Sequence, residues 1–309
     1  MAITAKQVAD LRAKTGCGMM ECKKALVETN GDFDEAIKVL RERGLAVSAK
    51  KADRIASEGL VDIMCDESGE KAAIIEVNSE TDFVAKNATF REFVSTLLKT
   101  ILAEEPKDVE SLLKLGYPGT DLTVEGKIKD MIFTIGENMN IRRFEIVKGT
   151  LSTYIHGKGS IGVIITFDAS DEAKSNEGFA EFAKNIALQA AAFPVSYLNR
   201  ESVPASVIDE EKSILITQIK NDPKNASKPD SIIEKMVTGR LGKFYESNCL
   251  LDQAYVKDDA LTVAKYVEQT AKQFGGSIKV TGFTRFEKGE GLQKREENLG
   301  DEIAKLINK

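Results

Sequence analysis

Ala72-Ala73-Ile74-Ile75-Glu76-Val77-Asn78-Ser79-Glu80-Thr81-Asp82-Phe83-Val84-Ala85-Lys86-Asn87 passes from an apolar run into a polar turn that carries a carboxylate beside an aromatic ring. The run Ala72 to Val77 reads as a strand. Ser79 followed by Asp82 has the form of a capping box, and Thr89 followed by Glu92 forms a second such pair. Asp82 and Phe83 are therefore expected on one short turn ahead of a longer helix. The pair reads in two ways. Phe83 is either an exposed probe that enters a partner's pocket with Asp82 carrying charge alongside it, or a local core residue with Asp82 favouring the helix N-terminus through its dipole.

Outward from this stretch the fold takes shape. Gly59 to Cys65 is a strand candidate, Asp66-Glu67-Ser68-Gly69 a turn, and Thr89 to Ala103 a helix with Phe90, Val94, Leu97 and Ile101 on one side. The order recurs in strand Thr150 to His156, turn Gly157-Lys158-Gly159, strand Ile161 to Phe167, and a helix aligning Phe179, Phe182, Ala183, Ile186 and Ala190. Ile141 to Val147 and Ile278 to Phe286 supply a late third strand to each unit. Arg142 and Arg143 are neighbours on such a strand, so they are expected to point to opposite faces. The expected class is α+β: two related subdomains, each an antiparallel three-stranded sheet with helices on one face.

The first fifty or so residues carry helix signals only. Thr4 with Gln7 opens a first helix bearing Val8 and Leu11, a second carries Cys22, Ala25 and Leu26, and Asp32 with Glu35 opens a third with Phe33, Ala36, Ile37 and Leu40 before Gly44. Ala46 to Arg54 reads as a helical linker. Three short helices of this size resemble a ubiquitin-associated domain, either a partner-binding unit or a stabilising cap. Pro204 to Phe244 interrupts the second unit with two helical stretches, where Val207, Glu211, Ile214 and Gln218 face Ile233, Met236, Arg240 and Phe244 in an antiparallel hairpin. Leu299 to Ile307 reads as a short amphipathic tail helix. The expected division is 1–54 for the ubiquitin-associated-like unit and linker, and 55–148 for the first sheet subdomain. The second spans 149–291 with the hairpin at 204–244, and 292–309 is a C-terminal module.

Composition removes several functions. A net charge of −6 argues against a broad nucleic-acid footprint, which needs clustered Lys and Arg. No apolar run is long enough for a membrane span, and Met1-Ala2-Ile3-Thr4-Ala5-Lys6 leads into a helix with no signal-peptide core, so a cytoplasmic location is expected. Cys17, Cys22, Cys65 and Cys249 form no C-x-x-C pair and read as small packing residues in a reducing compartment. No P-loop, dinucleotide-binding glycine pattern or nucleophile elbow is present, so no cofactor is expected. His156, the sole histidine, has no identifiable carboxylate or nucleophile beside it and reads as structural or surface.

Several runs together resemble the elongation factor Ts family, the exchange factors for elongation factor Tu. They are Thr81-Asp82-Phe83-Val84-Ala85-Lys86 with Ile75-Glu76-Val77-Asn78, and Thr15-Gly16-Cys17-Gly18-Met19-Met20-Glu21-Cys22-Lys23-Lys24-Ala25-Leu26. Ile135-Gly136-Glu137-Asn138-Met139-Asn140-Ile141-Arg142-Arg143, then His156-Gly157 before Ile161-Gly162-Val163, and more weakly Thr281-Gly282-Phe283-Thr284-Arg285-Phe286, follow in the family's order. The resemblance implies a guanine-nucleotide exchange factor in translation elongation with no covalent chemistry, binding elongation factor Tu in its GDP-bound and nucleotide-free forms. It implies that Thr81, Asp82, Phe83 and Val84 intrude near the partner's Mg²⁺ and phosphate site, that Lys23, Ile135, His156 and Val256 are further contacts, and that the 204–244 hairpin is an antiparallel coiled coil, through which a homodimer is conceivable. Tyr255 and Lys257 depart from the phenylalanine and apolar residue expected beside Val256. The competing readings are a helical-domain adaptor without exchange activity and a small-molecule enzyme using His156.

Overall fold

Every layer of this protein is organised about β2 (Lys71–Ser79), an apolar strand whose residues from Ala72 to Ser79 are all buried. The computed structural model describes residues 3–225 and 228–293. The tail reading at Leu299 to Ile307 lies outside the described residues. β2 pairs antiparallel with β1 (Glu58–Cys65) on one side and β3 (Met139–Lys148) on the other. Strand alternation sends Ala73, Ile75 and Val77 into a core with Phe90, Val94, Leu97 and Ile101. Those last four line one side of a helix that runs from Ala88 to Glu104. A second three-stranded sheet follows from the same pattern, as expected. Here β4 (Thr150–His156) and β8 (Ile278–Glu287) flank β5 (Ile161–Ala169).

Helices complete each outer face. At the N-terminus α1 (Ala5–Thr15) opens with the reciprocal Thr4/Gln7 cap read from sequence, followed by α2 (Met19–Glu28) and α3 (Phe33–Lys51). Asp32 caps α3 by accepting from the Glu35 N–H. Gly44 does not end this helix. It lies where α3 crosses Phe133, whose ring would touch an added Cβ, so the supposed linker is the second half of one continuous helix. α4 (Asp82–Lys86) and α5 (Ala88–Glu104) follow β2, then α6 (Val109–Lys114) and α7 (Val124–Ile135), to which the sequence reading assigned no element. In the second unit α8 (Asp171–Lys174) precedes α9 (Phe179–Ala192), and α12 (Val263–Gln273) joins α9 over the sheet.

Between β5 and β8 the arm forms an antiparallel hairpin of α10 (Ala205–Asn221) and α11 (Asp230–Asn248) with its own small core. Leu215 and Ile219 meet Ile233, Val237 and Leu241, with Ile208 packed against them. The inward stripe of α10 is thus one position along from the expected Val207, Ile214 and Gln218. Leu215 and Ile219 are the buried pair of α10, with Ile208 two turns before Leu215, whereas the expected stripe ended on Gln218. Ile214 is exposed. A short hairpin of β6 (Ala254–Tyr255) and β7 (Asp258–Thr262) follows the arm and was not foreseen. Cys65 is exposed at the end of edge strand β1, so only Cys17, Cys22 and Cys249 fill the packing role expected of all four.

The faces of the two sheets that carry no helix pack on each other. Val61, Ala72 and Ile74 of the first meet Ile164 and Phe286 of the second. Glu76 points into this interface and is fully buried. A bulge between Glu76 and Val77 pairs Glu76 with Arg143 and Val77 with Ile141, leaving Arg142 as the extra residue. Both guanidiniums therefore reach one carboxylate, against the expectation of opposite faces: Arg142 at 3.0 Å and Arg143 at 2.7 Å. The Asn78 amide donates at 3.0 Å and the Gly289 N–H at 2.8 Å. Gly289 has φ 70 and sits where a Cβ would run into the Ser57 carbonyl, so glycine is required there.

Two outcomes follow from this packing. Burial pushes the Glu76 carboxyl up, but the Gly289 N–H, Asn78 and the two arginines outweigh it and leave the group below its ordinary value. Its contribution to stability is full above the unfolded carboxylate value and is lost as pH falls through the lower folded one. Glu76→Gln is expected to cost about 3 kcal/mol in urea unfolding at neutral pH, because it removes the buried carboxylate that two half-buried guanidiniums share. The difference from the parent should narrow in acid; a cost under about 1 kcal/mol at neutral pH would contradict this account. For the arm, replacing residues 204–244 with a short Gly-Ser linker is expected to leave a single cooperative thermal transition, since its apolar residues satisfy one another. Loss of that transition would make the arm part of the main core.

Candidate functional site

Ser79 is still in the β ladder, paired with Glu58 and Met139, so its backbone is not free to begin a helix. Its hydroxyl donates to the Thr81 carbonyl at 2.9 Å, and the expected Ser79/Asp82 box does not form. Thr81 occupies the N-cap of α4 in extended conformation without capping the helix through its own side chain. Instead its N–H and hydroxyl both donate to the Glu137 carboxylate, at 2.9 and 2.7 Å. α5 likewise starts from Asn87, which accepts from the Thr89 N–H at 2.8 Å, in place of the expected Thr89/Glu92 pair.

The turn after α7 meets this segment from the other side. Gly136, with φ 89, ends α7 and accepts a hydrogen bond from the Lys51 ammonium. Asn138 donates its N–H to Glu80 at 2.6 Å and its buried amide to the carbonyls of Ala52 and Arg54 at 3.2 and 2.9 Å. Arg54 also reaches Glu80 at 3.5 Å. The end of α3, the Ile135-Gly136-Glu137-Asn138 turn and the Glu80-Thr81 turn thus form one hydrogen-bonded node. Two motifs that lie far apart in sequence are brought together here.

Val84 and Ala85 point inward and are buried, anchoring α4, while Phe83 is 76% exposed. The local-core reading of Phe83 is overturned. Val84 and Ala85 take the inward side of this short helix, and Phe83 falls on the side turned to solvent. Asp82 is paired with Lys86 at 2.5 Å, and the Lys86 ammonium lies 5.6 Å from the Phe83 ring centre. The Lys86 hydrogen bond holds the Asp82 carboxyl below the usual range, with Lys288 adding to the effect.

His156 ends β4 and is exposed, with its Nδ1 3.3 Å from the Tyr154 hydroxyl. The hairpin tip beyond it is docked on the first subdomain. Gly159 accepts from the Val61 N–H at 2.8 Å, and Lys158 from Arg91 at 3.3 Å. The Lys288 N–H donates to the Ser160 carbonyl at 2.8 Å, which links this tip to the strand end whose ammonium influences Asp82. Ile135 is partly buried against the first core. Lys23 is exposed on α2 beside the exposed side chains of Met20 and Val27.

Val256 occupies the turn between β6 and β7, is 48% exposed, and donates its N–H to Gln189 at 2.8 Å. Its neighbours explain their departure from the expected residues. Tyr255 stacks on Tyr266 at 4.1 Å, and the Lys257 ammonium reaches Asn185 at 2.8 Å, so both hold the turn that presents Val256. Neither Lys23 nor Val256 shares a hydrogen bond or a core cluster with the Thr81 node. Sequence reasoning quoted Glu137 and Lys86 inside motifs without giving either a role. The sign in Glu137 was a carboxylate following a helix-ending glycine.

The family model described as elongation factor TS matches residues 80–290. The chain is 46% identical over 309 residues to elongation factor Ts of Clostridium kluyveri, covering 99% of each chain. Elongation factor Ts of Syntrophotalea carbinolica is 44% identical over 309 residues, and that of Magnetococcus marinus 43% over 310, again with 99% of each chain covered.

Exposure of Phe83 carries a consequence for stability. Phe83→Ala is expected to change unfolding free energy by no more than about 0.5 kcal/mol, the range of ordinary surface substitutions. A shift in calorimetry corresponding to 2 kcal/mol or more, the rough scale of a buried aromatic truncation, would put the ring back in the core.

Proposed function

The chain belongs to the elongation factor Ts family, and on that premise we propose that it is a guanine-nucleotide exchange factor for elongation factor Tu. In this reading it binds the GDP-bound partner, weakens its hold on GDP, and remains on the nucleotide-free form until GTP displaces it. No covalent step is involved. The factor must bind nucleotide-free partner more tightly than GDP-bound partner, and by linkage GDP weakens the factor's binding by the same ratio. A coupling of about 1–3 kcal/mol corresponds to roughly 5- to 150-fold.

The observation that carries this reading is the 76% exposed Phe83 on a turn whose next two residues are buried in the core. A large apolar ring presented on a rigid base fits insertion between elements of a partner, which then switch packing rather than deform smoothly. Asp82 beside it supplies negative charge that competes for the partner's Mg²⁺ ligand shell. The Asp82–Lys86 pair is exposed, so it is weakly held and opens readily on docking. Thr81 and Val84 seat the probe, and Lys23, Ile135, His156 and Val256 are proposed as further contacts.

The proposed division is 1–54 as a docking unit, 55–148 and 149–291 as the sheet subdomains, the second carrying the 204–244 arm, and 292–309 as a C-terminal module. Among the described residues no helix is long and apolar enough to cross a membrane. We place the protein's work in the cytoplasm, where its proposed partner would be met.

Stopped-flow release of a fluorescent GDP analogue from elongation factor Tu tests the mechanism. Phe83→Ala is expected to slow stimulated release at least about tenfold, in line with roughly 2 kcal/mol or more for a central interface aromatic. Asp82→Ala should slow it as well. If the pair acts through the metal, chelating Mg²⁺ beforehand narrows the gap between parent and variant, because the step they assist is already complete. An equal gap with and without Mg²⁺ rejects the metal route and leaves Phe83 as a binding anchor.

A further inference from the structure

We infer that Glu137 is a positioning residue for exchange: its carboxylate holds the Thr81 cap of α4 and thereby fixes the pose in which Asp82 and Phe83 are presented. The inference rests on the exchange reading above.

α4 has five residues, too few for a helix to persist on its own. Its first N–H groups lack intrahelical partners, and the hydroxyl that ordinarily satisfies one of them is turned away toward Glu137. Glu137 takes both Thr81 donors in charge-assisted bonds of 2.9 and 2.7 Å. Among the described residues its carboxylate has no other hydrogen bond and no ion pair, so Thr81 is its one bonded partner, with the Lys51 ammonium a further charge that feels it. The turn that carries it is itself fixed. Lys51 holds the Gly136 carbonyl, and Asn138 ties Glu80 to the carbonyls of Ala52 and Arg54.

Val84 and Ala85 anchor the far side of α4 in the core. They resist its removal but leave its rotation about that anchor to the cap. The Glu137 bonds supply the missing constraint, at the residue immediately before Asp82. Side chains that must enter a partner's site in one orientation lose rate steeply when displaced, even where affinity is largely kept.

The experiment uses the full chain with elongation factor Tu·GDP and compares Glu137→Ala, Glu137→Gln, Phe83→Ala and the Glu137→Ala/Phe83→Ala double variant. Glu137→Ala removes both charge-assisted bonds and is expected to lower the limiting rate of stimulated GDP release about tenfold. The factor concentration at half-maximal rate should move less than about threefold, because the contacts themselves remain. Glu137→Gln, which keeps one of the two accepting oxygens but no charge, should recover part of the rate. In the Phe83→Ala background Glu137→Ala should cost clearly less than about tenfold, since only the placement of Asp82 is left to lose and residues acting through one another are not additive. A full tenfold cost in that background, or a loss confined to half-saturation, overturns the inference.

Amide hydrogen exchange in the free protein separates this inference from the reading it rests on. Faster exchange at residues 81–84 in Glu137→Ala supports the positioning role, and unchanged exchange rejects it. Parent protein that fails to stimulate GDP release at all rejects the exchange function instead. Should Glu137→Ala fold poorly, Thr81→Val removes only the hydroxyl bond and is expected to give a smaller loss of rate, about threefold, with the same non-additivity toward Phe83→Ala. Additive losses there overturn the inference equally.

Discussion

A single buried carboxylate sets the arrangement on which the rest depends. Glu76 sits at the centre of β2, between two sheets, where an unpaired charge would be prohibitively costly. Its donors come from three places: Asn78 on the same strand, Arg142 and Arg143 on β3, and the Gly289 backbone beyond β8. The first two sources fold with the first sheet, but the last belongs to the second. Satisfying Glu76 therefore requires the sheets to be in register with each other. The Arg143 guanidinium also covers the Phe286 ring at 4.2 Å, and Lys288 pairs with Glu58. One polar cluster thus selects a specific relative placement for two apolar faces that alone would tolerate sliding.

That placement reaches the candidate site directly. Lys288, two residues past Phe286, donates its N–H to the His156 hairpin while its ammonium bears on Asp82. The hairpin also hydrogen-bonds to β1 and to Arg91 on α5. Lys288 thus connects the β4–β5 hairpin that begins at His156 with the α4 segment that carries Asp82, a link that exists only while the sheets are locked.

Local patterns were legible in the sequence, and long-range geometry was not. Both three-stranded sheets, the Thr4/Gln7 and Asp32 caps, and helices α5 and α9 followed from periodicity and capping, which act over a few residues, whereas α6, α7 and α12 were not read. The runs around Thr81 and Ile135 were recognisable as motifs. Their meeting through Glu137 was not, because nothing local in a carboxylate shows that its acceptors will be filled from 56 residues away. The bulge at Arg142 escaped for a related reason: strand alternation presumes an unbroken ladder, and the demand of Glu76 for two cations breaks it. On the arm, the two candidate stripes of α10 differ by one residue, and only contact with α11 selects Ile208, Leu215 and Ile219. Gly44 misled for the opposite reason: its helix cost of about 1 kcal/mol is real, but packing against Phe133 outweighs a local preference.

The site combines rigidity and exposure in adjacent residues. A strand buried on both faces cannot shift without disturbing two cores, so a turn leaving its end inherits a fixed origin. Thr81 is held from outside the helix, Val84 and Ala85 from beneath, and the exposed Phe83 lies between these restraints. Exposing a phenylalanine forgoes the burial of apolar area that would otherwise stabilise the fold, roughly 1.5–3 kcal/mol for such a side chain. Lys86 lies beside the ring and pairs with Asp82, an exposed and weak pairing that leaves both groups accessible. An aromatic left exposed on a base this firmly held is the geometry that the proposed contact with a partner calls for.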